Sequence, residues 1–269
     1  MIIDDTTINV VDQAFIKLVV DVKKELKLLI NVKQAASAVM IVDLLGQDQQ
    51  LNIETVLADH STLTILYLNA GHNLMINEEV YIDQRAKYKV AYSEMDEDKV
   101  KRIANYYLRG FQAEVELVSI ALIKDQIHQE FNCHHQQKET VSFIQTYGVL
   151  LQQGDYYIKA NGQIIKGASK SKSHQVSRVL TLGDKEKAKI IPLLLIDEND
   201  VEASHAMSIG QLDENQLYYM QSRGLSKNDA LRLIAIGYLS PITSIIDDEK
   251  LKTYLTDIIY KKVQDTCLM

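Results

Sequence analysis

The most sharply delimited stretch of the chain is Val201–Pro241, VEASHAMSIGQLDENQLYYMQSRGLSKNDALRLIAIGYLSP. A strand-like run containing His205 is followed by the start signal of a helix. Asp213 with Gln216 three residues later forms a capping-box pattern, in which side-chain oxygens serve the free N–H groups of the first helical turn. Gly224 suits the end of that helix because glycine tolerates left-handed backbone angles. The stretch therefore predicts a change from strands to helices.

Two further helices are predicted after the first. Ser226 with Asp229 repeats the capping pattern, and Gly237 with Pro241 beyond it marks a stop. A third helix is predicted over Asp247–Gln264, where apolar residues form one stripe, acids lie at the start and lysines at the end. Residues 211–269 are therefore expected to form a helical region.

The same stretch resembles the C-terminal signature of the SufB/SufD family, the scaffold subunits of the SUF iron–sulfur assembly machinery. In that family a Ser-His turn leads into Gly-x-Leu-Asp-Glu, a short helix ending Ser-Arg-Gly and a second helix ending in Gly and an aromatic residue. The matching positions are Ser204-His205, Gly210, Leu212-Asp213-Glu214, Leu217, Tyr219, Ser222-Arg223-Gly224, Ala230, Leu233 and Gly237-Tyr238. Because Ala203 and Ser177 stand where thiols are found in the family pattern, the chain looks closer to a SufD-type subunit.

Upstream of this stretch the chain reads as many short strands. In Thr62–Asn69, Leu63, Ile65 and Tyr67 share one face, and Ala113–Ile123 repeats this period of two. Alternation alone does not choose among sandwich, barrel and solenoid. The resemblance implies a right-handed parallel β-helix over residues 1–210, with 211–269 as a C-terminal helical region that docks an ATPase.

Four local interpretations can be checked directly. Asn161-Gly162 is predicted to be a tight turn or hairpin. Met95–Tyr107 fits a short helix or a strand, and a strand or mixed structure is preferred in this context. Ile190–Ile196 is nearly all apolar, which is typical of a strand covered on both faces. The acidic groups Glu78-Glu79, Asp96–Asp98 and Asp247–Glu249 are expected in solvated turns or helix starts.

Composition narrows the class of protein. The 269 residues are 46% hydrophobic with a formal net charge of −7 and a pI near 5.5, which argues against a nucleic-acid partner. No apolar run approaches the roughly 18 residues of a membrane span. The N-terminus, MIIDDTTINVVDQ, lacks the pattern of a secretory signal peptide, so a cytoplasmic location is the expectation.

His205 is the leading candidate for chemistry. A neutral imidazole can ligate iron, and in similar proteins the histidine of this motif is implicated in cluster assembly at a subunit interface. The alternative is a histidine that is simply hydrogen-bonded at a strand end. No intrinsic cofactor is expected, and the resemblance implies at most a transient iron–sulfur cluster at an interface.

Two positions depart from the family pattern. A cysteine is often found two residues before the histidine, where this chain has Ala203, and the SufB branch carries a thiol at the position aligned with Ser177. Neither replacement supplies the soft thiolate that such clusters need. Typical family members also carry an additional N-terminal helical region, whereas this sequence begins almost directly at the predicted β-helix. The flavin-binding, sulfur-transfer and iron-delivery roles of full complexes are therefore not carried over to it from the resemblance.

A second histidine group lies at Cys133-His134-His135. Neighbouring strand residues point to opposite faces, so His134 and His135 are not expected to ligate one metal together. Cys267, the other cysteine, is expected to be inert in a C-terminal tail.

The resemblance implies a non-enzymatic assembly component with two protein partners. The β-helix would pair with a second SufB/SufD-like subunit or with itself, and the helical region would dock a SufC-type ABC ATPase. The candidate anchors of that docking surface are Gln216, Tyr219, Met220, Arg223, Leu231 and Arg232, although about half of such residues must pack against the β-helix instead.

Two other functions stay open. The missing thiols fit an adaptor that keeps the ATPase contact but has lost cluster chemistry. A carbohydrate-binding or carbohydrate-active β-helix would call for aromatic platforms and a carboxylate cluster on one face, and the chain has no tryptophan.

Overall fold

The computed structural model describes residues 6–95 and 99–266, so the acidic run Asp96–Asp98 and Cys267 lie outside the described residues. The chain is mainly β: a parallel solenoid of about seven turns, followed by three helices. Successive strands alternate between two parallel sheets, and each strand other than those at the two ends pairs with the strands one turn before and after it. The predicted β-helix followed by helices is confirmed.

We call the two sheets the odd sheet and the even sheet after their strands. The odd sheet contains β1 Thr6–Val10, β3 Leu26–Val32, β5 Gln50–Leu57, β7 Leu74–Ile82, β9 Val100–Leu108, β11 Gln126–His135, β13 Asp155–Ile164 and β15 Lys187–Ile196. The even sheet contains β2 Ala14–Val22, β4 Ser37–Gly46, β6 Thr62–Asn69, β8 Lys87–Glu94, β10 Glu114–Ile123, β12 Val141–Leu150, β14 Lys172–Thr181 and β16 Glu202–Gln211.

Side chains that alternate along each strand divide between the solenoid interior and its surface. In β6, Leu63, Ile65 and Tyr67 are fully buried in the interior core, as their shared face predicts. The alternation predicted for β10 is also confirmed, with Val115 and Leu117 inside. Burial of these apolar residues from every turn gives one continuous core.

The predicted turn at Asn161-Gly162 is wrong, because both residues lie inside β13. A Cβ atom on Gly162 would come within 2.2 Å of the Ser173 hydroxyl oxygen. The glycine therefore permits a close approach between the two sheets rather than a turn.

Two other strand predictions are refined. Residues 100–108 form β9, so the strand interpretation of that part of Met95–Tyr107 is confirmed and the helix is excluded. Ile190–Ile196 is a strand, but the expectation that both its faces are covered is wrong. β15 is the last strand of the odd sheet, and Leu195 and Ile196 are 50% and 37% exposed.

One corner of the solenoid is a column of similar turns. At each turn a residue with φ between 53° and 60° precedes a small buried residue. These pairs are Ala35-Ala36, His60-Ser61, Arg85-Ala86, Gln112-Ala113, Glu139-Thr140 and Lys170-Ser171. The positive-φ residue donates its N–H to the next turn, as from His60 N to Gln84 O at 2.8 Å. Neighbouring turns are thereby joined along the solenoid axis.

The helices are α1 Glu214–Ser222, α2 Lys227–Leu239 and α3 Glu249–Asp265, with a 3₁₀ turn at Ser240–Ile245 between the last two. Asp213, Ser226 and Asp248 are the N-caps, and Gly224 has φ of +94° after α1, so these start and stop signals are confirmed. The predicted stop at Gly237 is two residues early, since α2 continues to Leu239.

The helical region packs on the outer face of the even sheet and builds a second core there. Apolar residues that point out of the solenoid meet buried residues of α2, the 3₁₀ turn and α3. The sheet side of this outer core consists of Leu66, Ala91, Met95, Val118, Ile120, Leu122, Tyr147, Val149 and Leu151. The helices therefore cover a surface that would otherwise expose these side chains to water.

A charged cluster lies inside the solenoid. The Arg102 guanidinium contacts the Glu94 carboxylate at 2.8 Å and lies 3.7 Å from that of Glu78, and all three side chains have no exposed surface. The expectation that Glu78 lies in a solvated turn is wrong. It is the inward residue of β7, and its partner Glu79 faces outward, as strand alternation requires.

Candidate functional site

The last turn of the solenoid, formed by β15 and β16, is an exposed end. β16 pairs with β14 and β15 with β13, and on their other sides the described part of the chain places no strand. Leu195, Met207 and Ile209 are 50%, 40% and 52% exposed. Unpaired strand edges with apolar side chains are surfaces that another chain can extend.

His205 lies on β16, facing the interior side of this end. It is in register with Gln175 of β14, and parallel neighbours in register point to the same face. Gln175 is 2% exposed, and its Nε2 donates to the carbonyl of Leu193 on the opposite sheet at 2.9 Å, so that face is the interior. His205 itself is exposed because none of the described strands stacks beyond β16 to cover it.

Of the two positions without thiols, Ala203 lies on the last turn and Ser177 lies one turn before it, on β14. Ala203 lies on β16 in register with Ser173, on the inward face. Ser177 is 3% exposed and its hydroxyl oxygen accepts a hydrogen bond from Thr146 at 2.8 Å. Of Ala203, Ser177 and His205, only the histidine offers a donor that iron binds well.

Cys133, His134 and His135 do not form a metal site. His134 faces outward and stacks on Tyr107 with ring centroids 4.9 Å apart, while His135 faces inward. The two nitrogens of His135 bond the hydroxyls of Thr140 and Ser142, each at 2.8 Å, and burial lowers the pKa of His135 to about 4. The prediction that the two histidines point apart is confirmed.

Burial also determines the pKa of the neighbouring thiol, Cys133. Cys133 is buried in the interior core, and burial raises its pKa to about 12. Such a thiol is an inert core residue. Across residues 6–95 and 99–266, no three side chains of His, Cys, Asp or Glu are grouped so that they could hold a metal ion.

The helix α1 presents the second candidate surface. It buries none of its residues, and Tyr219 is 59% exposed. The Arg223 guanidinium donates to the Tyr219 hydroxyl at 3.2 Å and lies over the same ring at 5.4 Å. Gln216 is exposed and Met220 half-buried, so these four residues form one accessible patch.

The other two predicted anchors are engaged within the chain. Leu231 is 2% exposed and belongs to the outer core, so its side chain is not available at the surface. Arg232 is half-buried and donates to the carbonyl of Gln264 at 3.3 Å, which ties α2 to α3. The patch is therefore smaller than predicted and is centred on α1.

A groove beside this patch was not predicted from the sequence. Tyr147 and Arg178 from the even sheet line it together with Met220, Leu233 and Tyr238 from the helices. Arg178 is an outward residue of β14 and Leu233 is 43% exposed. Only the packing of the helices on the sheet brings these distant residues together, so no local sequence signal indicates the groove.

Residues 22–238 match the family model described as SUF system FeS cluster assembly, SufBD core domain. The chain belongs to the SufB/SufD family. It is 31% identical over 229 residues to the iron–sulfur cluster assembly protein SufD of Bacillus subtilis (strain 168), a match that covers 81% of this chain and 52% of that protein.

Other SufB/SufD family proteins match in part. The SufD protein of Escherichia coli (strain K12) is 29% identical over 89 residues, which cover 33% of this chain and 21% of that protein. An iron–sulfur cluster assembly SufBD family protein of Mycobacterium tuberculosis is 24% identical over 253 residues, covering 88% and 63%. These matches support a SufD-type member, and the chain spans about half the length of the Bacillus subtilis protein.

As for membranes, none of the helices in the described residues of this SufB/SufD family member has the length and apolarity needed to cross a bilayer.

Proposed function

We propose that the chain is a non-enzymatic component of an iron–sulfur cluster assembly complex. In this proposal the end formed by β15 and β16 pairs with a second SufB/SufD-like subunit or with another copy, and α1 docks a SufC-type ABC ATPase. The observation that carries the docking role is that α1 is capped but buries none of its residues.

A nine-residue helix is marginal on its own in water, so its caps and its contact with α2 hold it in place. Tyr, Met and Arg side chains are enriched among the residues that dominate binding energy at interfaces. An ordered helix that offers Tyr219, Met220 and Arg223 to solvent is therefore suited to a protein partner.

The docking test compares two tyrosine substitutions. Tyr219→Ala is expected to weaken ATPase binding by about 2 kcal/mol, or roughly 30-fold in Kd. Tyr260→Ala on α3 is the matched control, because Tyr260 is also exposed, at 43%. Isothermal titration with the cognate ATPase provides the measurement. Equal binding by wild type and Tyr219→Ala would remove α1 from the interface.

The pairing test uses the two ends of the solenoid. Ile209→Glu places a charge on the exposed end and is expected to convert a dimer to a monomer, because burying an unpaired carboxylate is costly. Phe15→Glu at the opposite end, where Phe15 is 62% exposed, is the control. Light scattering coupled to size exclusion, with and without a second SufB/SufD protein, measures the mass. If Phe15→Glu dissociated the dimer and Ile209→Glu did not, pairing would take place at the opposite end of the solenoid from the one proposed.

A cluster would be transient cargo at the paired end, with His205 as a ligand and the partner supplying thiolates. An adaptor without cluster chemistry is the second candidate, favoured by Ala203 and Ser177 in place of thiols. Reconstitution of the complex with iron and sulfide distinguishes the two. Loss of cluster absorbance in His205→Ala supports assembly, and equal absorbance supports the adaptor.

A further inference from the structure

The interior beneath His205 contains an unsatisfied acceptor. Gln175 is 2% exposed and its Oε1 has no hydrogen-bond partner among the residues that the structure describes, whereas its Nε2 is committed to the carbonyl of Leu193. Because a carbonyl can only accept, that bond fixes which end of the amide is oxygen. Buried acceptors without partners are rare and call for an explanation.

The neighbours of Gln175 within the chain do not serve this oxygen. Ser173 and Ser177 share its face of β14 and accept hydrogen bonds from Ser142 at 3.0 Å and Thr146 at 2.8 Å, but neither hydroxyl lies within hydrogen-bond reach of the Gln175 Oε1. The turn below presents Ile144 at the register position. Within the described strands, the remaining neighbour in register on this face is His205, one strand above, and strands in a sheet lie about 4.8 Å apart.

We propose that Gln175 is the positioning residue for His205. Its Oε1 accepts the proton of one imidazole nitrogen, which fixes the tautomer and turns the other nitrogen out of the solenoid end toward a partner or its metal cargo. Ligating histidines are commonly held in this way by an acceptor behind the ring. The purpose of this contact rests on the proposed role of His205 as a ligand. The contact itself is argued only from the register of the two residues and from the buried Gln175 oxygen.

The setting around His205 allows a clean measurement. The inward residues of β14, β15 and β16 that the structure describes include no charged side chain. The titratable groups of these strands face outward: Lys172, His174, Arg178, Lys187, Lys189 and Glu202. Lys172 and Glu202 are also paired with each other at 2.9 Å. The tautomer of His205 is therefore expected to report mainly on Gln175.

The test is nitrogen-15 NMR of the isolated chain, which reads the tautomer of His205 directly. Wild type is expected to hold one tautomer, and Gln175→Leu, of similar volume, to give a mixture. Gln175→Glu, which keeps an acceptor at this position, is expected to retain the single tautomer when the imidazole is neutral. Val176→Glu, which changes the outward face of β14 instead, is expected to leave the tautomer as in wild type.

The inference is overturned if Gln175→Leu leaves the tautomer unchanged, or if Val176→Glu changes it as much as Gln175→Leu does. Cluster reconstitution then tests the purpose separately. Gln175→Leu is expected to slow cluster formation several-fold in an otherwise wild-type complex and to have no effect when His205 is already alanine. An NMR effect without any effect on reconstitution would retain the positioning contact and reject the proposed function of His205.

Discussion

The ionisation of Glu78, a carboxyl group buried inside the solenoid, is coupled to folding. Its carboxylate oxygens accept hydrogen bonds from Tyr88 at 2.9 Å and Tyr92 at 2.6 Å inside the solenoid. Burial raises the pKa of Glu78 above its ordinary value, and the Arg102 guanidinium and the two hydroxyls offset part of this rise. A carboxyl group with a raised folded pKa stabilises fully below its unfolded pKa, and that contribution is lost as pH rises through the folded pKa.

We expect Glu78→Gln to remove this loss of stability with rising pH. The free energy of unfolding of wild type, relative to the variant, should fall as pH rises from about 4.5 through the folded pKa. Urea unfolding between pH 4.5 and 8 measures it. Glu79→Gln, on the same strand but facing outward, is the control and should track wild type. Parallel pH profiles for wild type and Glu78→Gln would show that Glu78 does not titrate above its unfolded pKa.

At this scale the sequence predicts side-chain direction better than side-chain contacts. Alternation placed His134 and His135 on opposite faces correctly. It did not reveal that Glu78, Glu94 and Arg102 meet, because they come from three strands whose register depends on the lengths of the intervening turns. The same dependence hides the relation between Gln175 and His205, which are 30 residues apart in sequence.

At the scale of elements, the column of positive-φ turns makes the solenoid sensitive to particular substitutions. Ala35 has φ of 57° and an exposed side chain. Ala35→Val is expected to cost about 1–3 kcal/mol, because a β-branched side chain clashes in this region of backbone space. Ala35→Gly should be neutral or mildly stabilising. Thermal or urea unfolding measures both, and equal stability of the two variants would contradict the strain.

The repeat behind that column is nearly invisible in the sequence. The positive-φ positions are occupied by Ala, His, Arg, Gln, Glu and Lys, so no glycine or asparagine marks them. Their spacing also grows from 25 to 31 residues along the chain. The strands are predictable because burial imposes alternation, whereas these turns are held by backbone hydrogen bonds between neighbouring turns, which any residue can supply.

At the scale of the whole molecule, the outer core joins the helices to the solenoid. Val118 and Ile120 of β10 and Val149 of β12 are buried there, with Leu239 and Ile245 from the helical side. The sequence predicts both the strands and the helices. The predicted boundary at residue 210 separates them into two units, although the outer core joins them. Which face of the solenoid the helices cover depends on tertiary packing, because outward apolar residues occur on both sheets.

Truncation after Gln211 therefore has a consequence beyond loss of the docking helix. It would expose the outer face of the even sheet, a contiguous apolar surface of the kind that drives association. We expect the truncated chain to bind a hydrophobic dye and to elute as large oligomers, while the full-length Tyr219→Ala chain elutes like wild type. A truncated chain that stays monodisperse and dye-free would mean that the helices are not needed to cover the sheet. Because failed ATPase binding by an aggregated truncation carries no information, the docking role must be tested with point substitutions on α1.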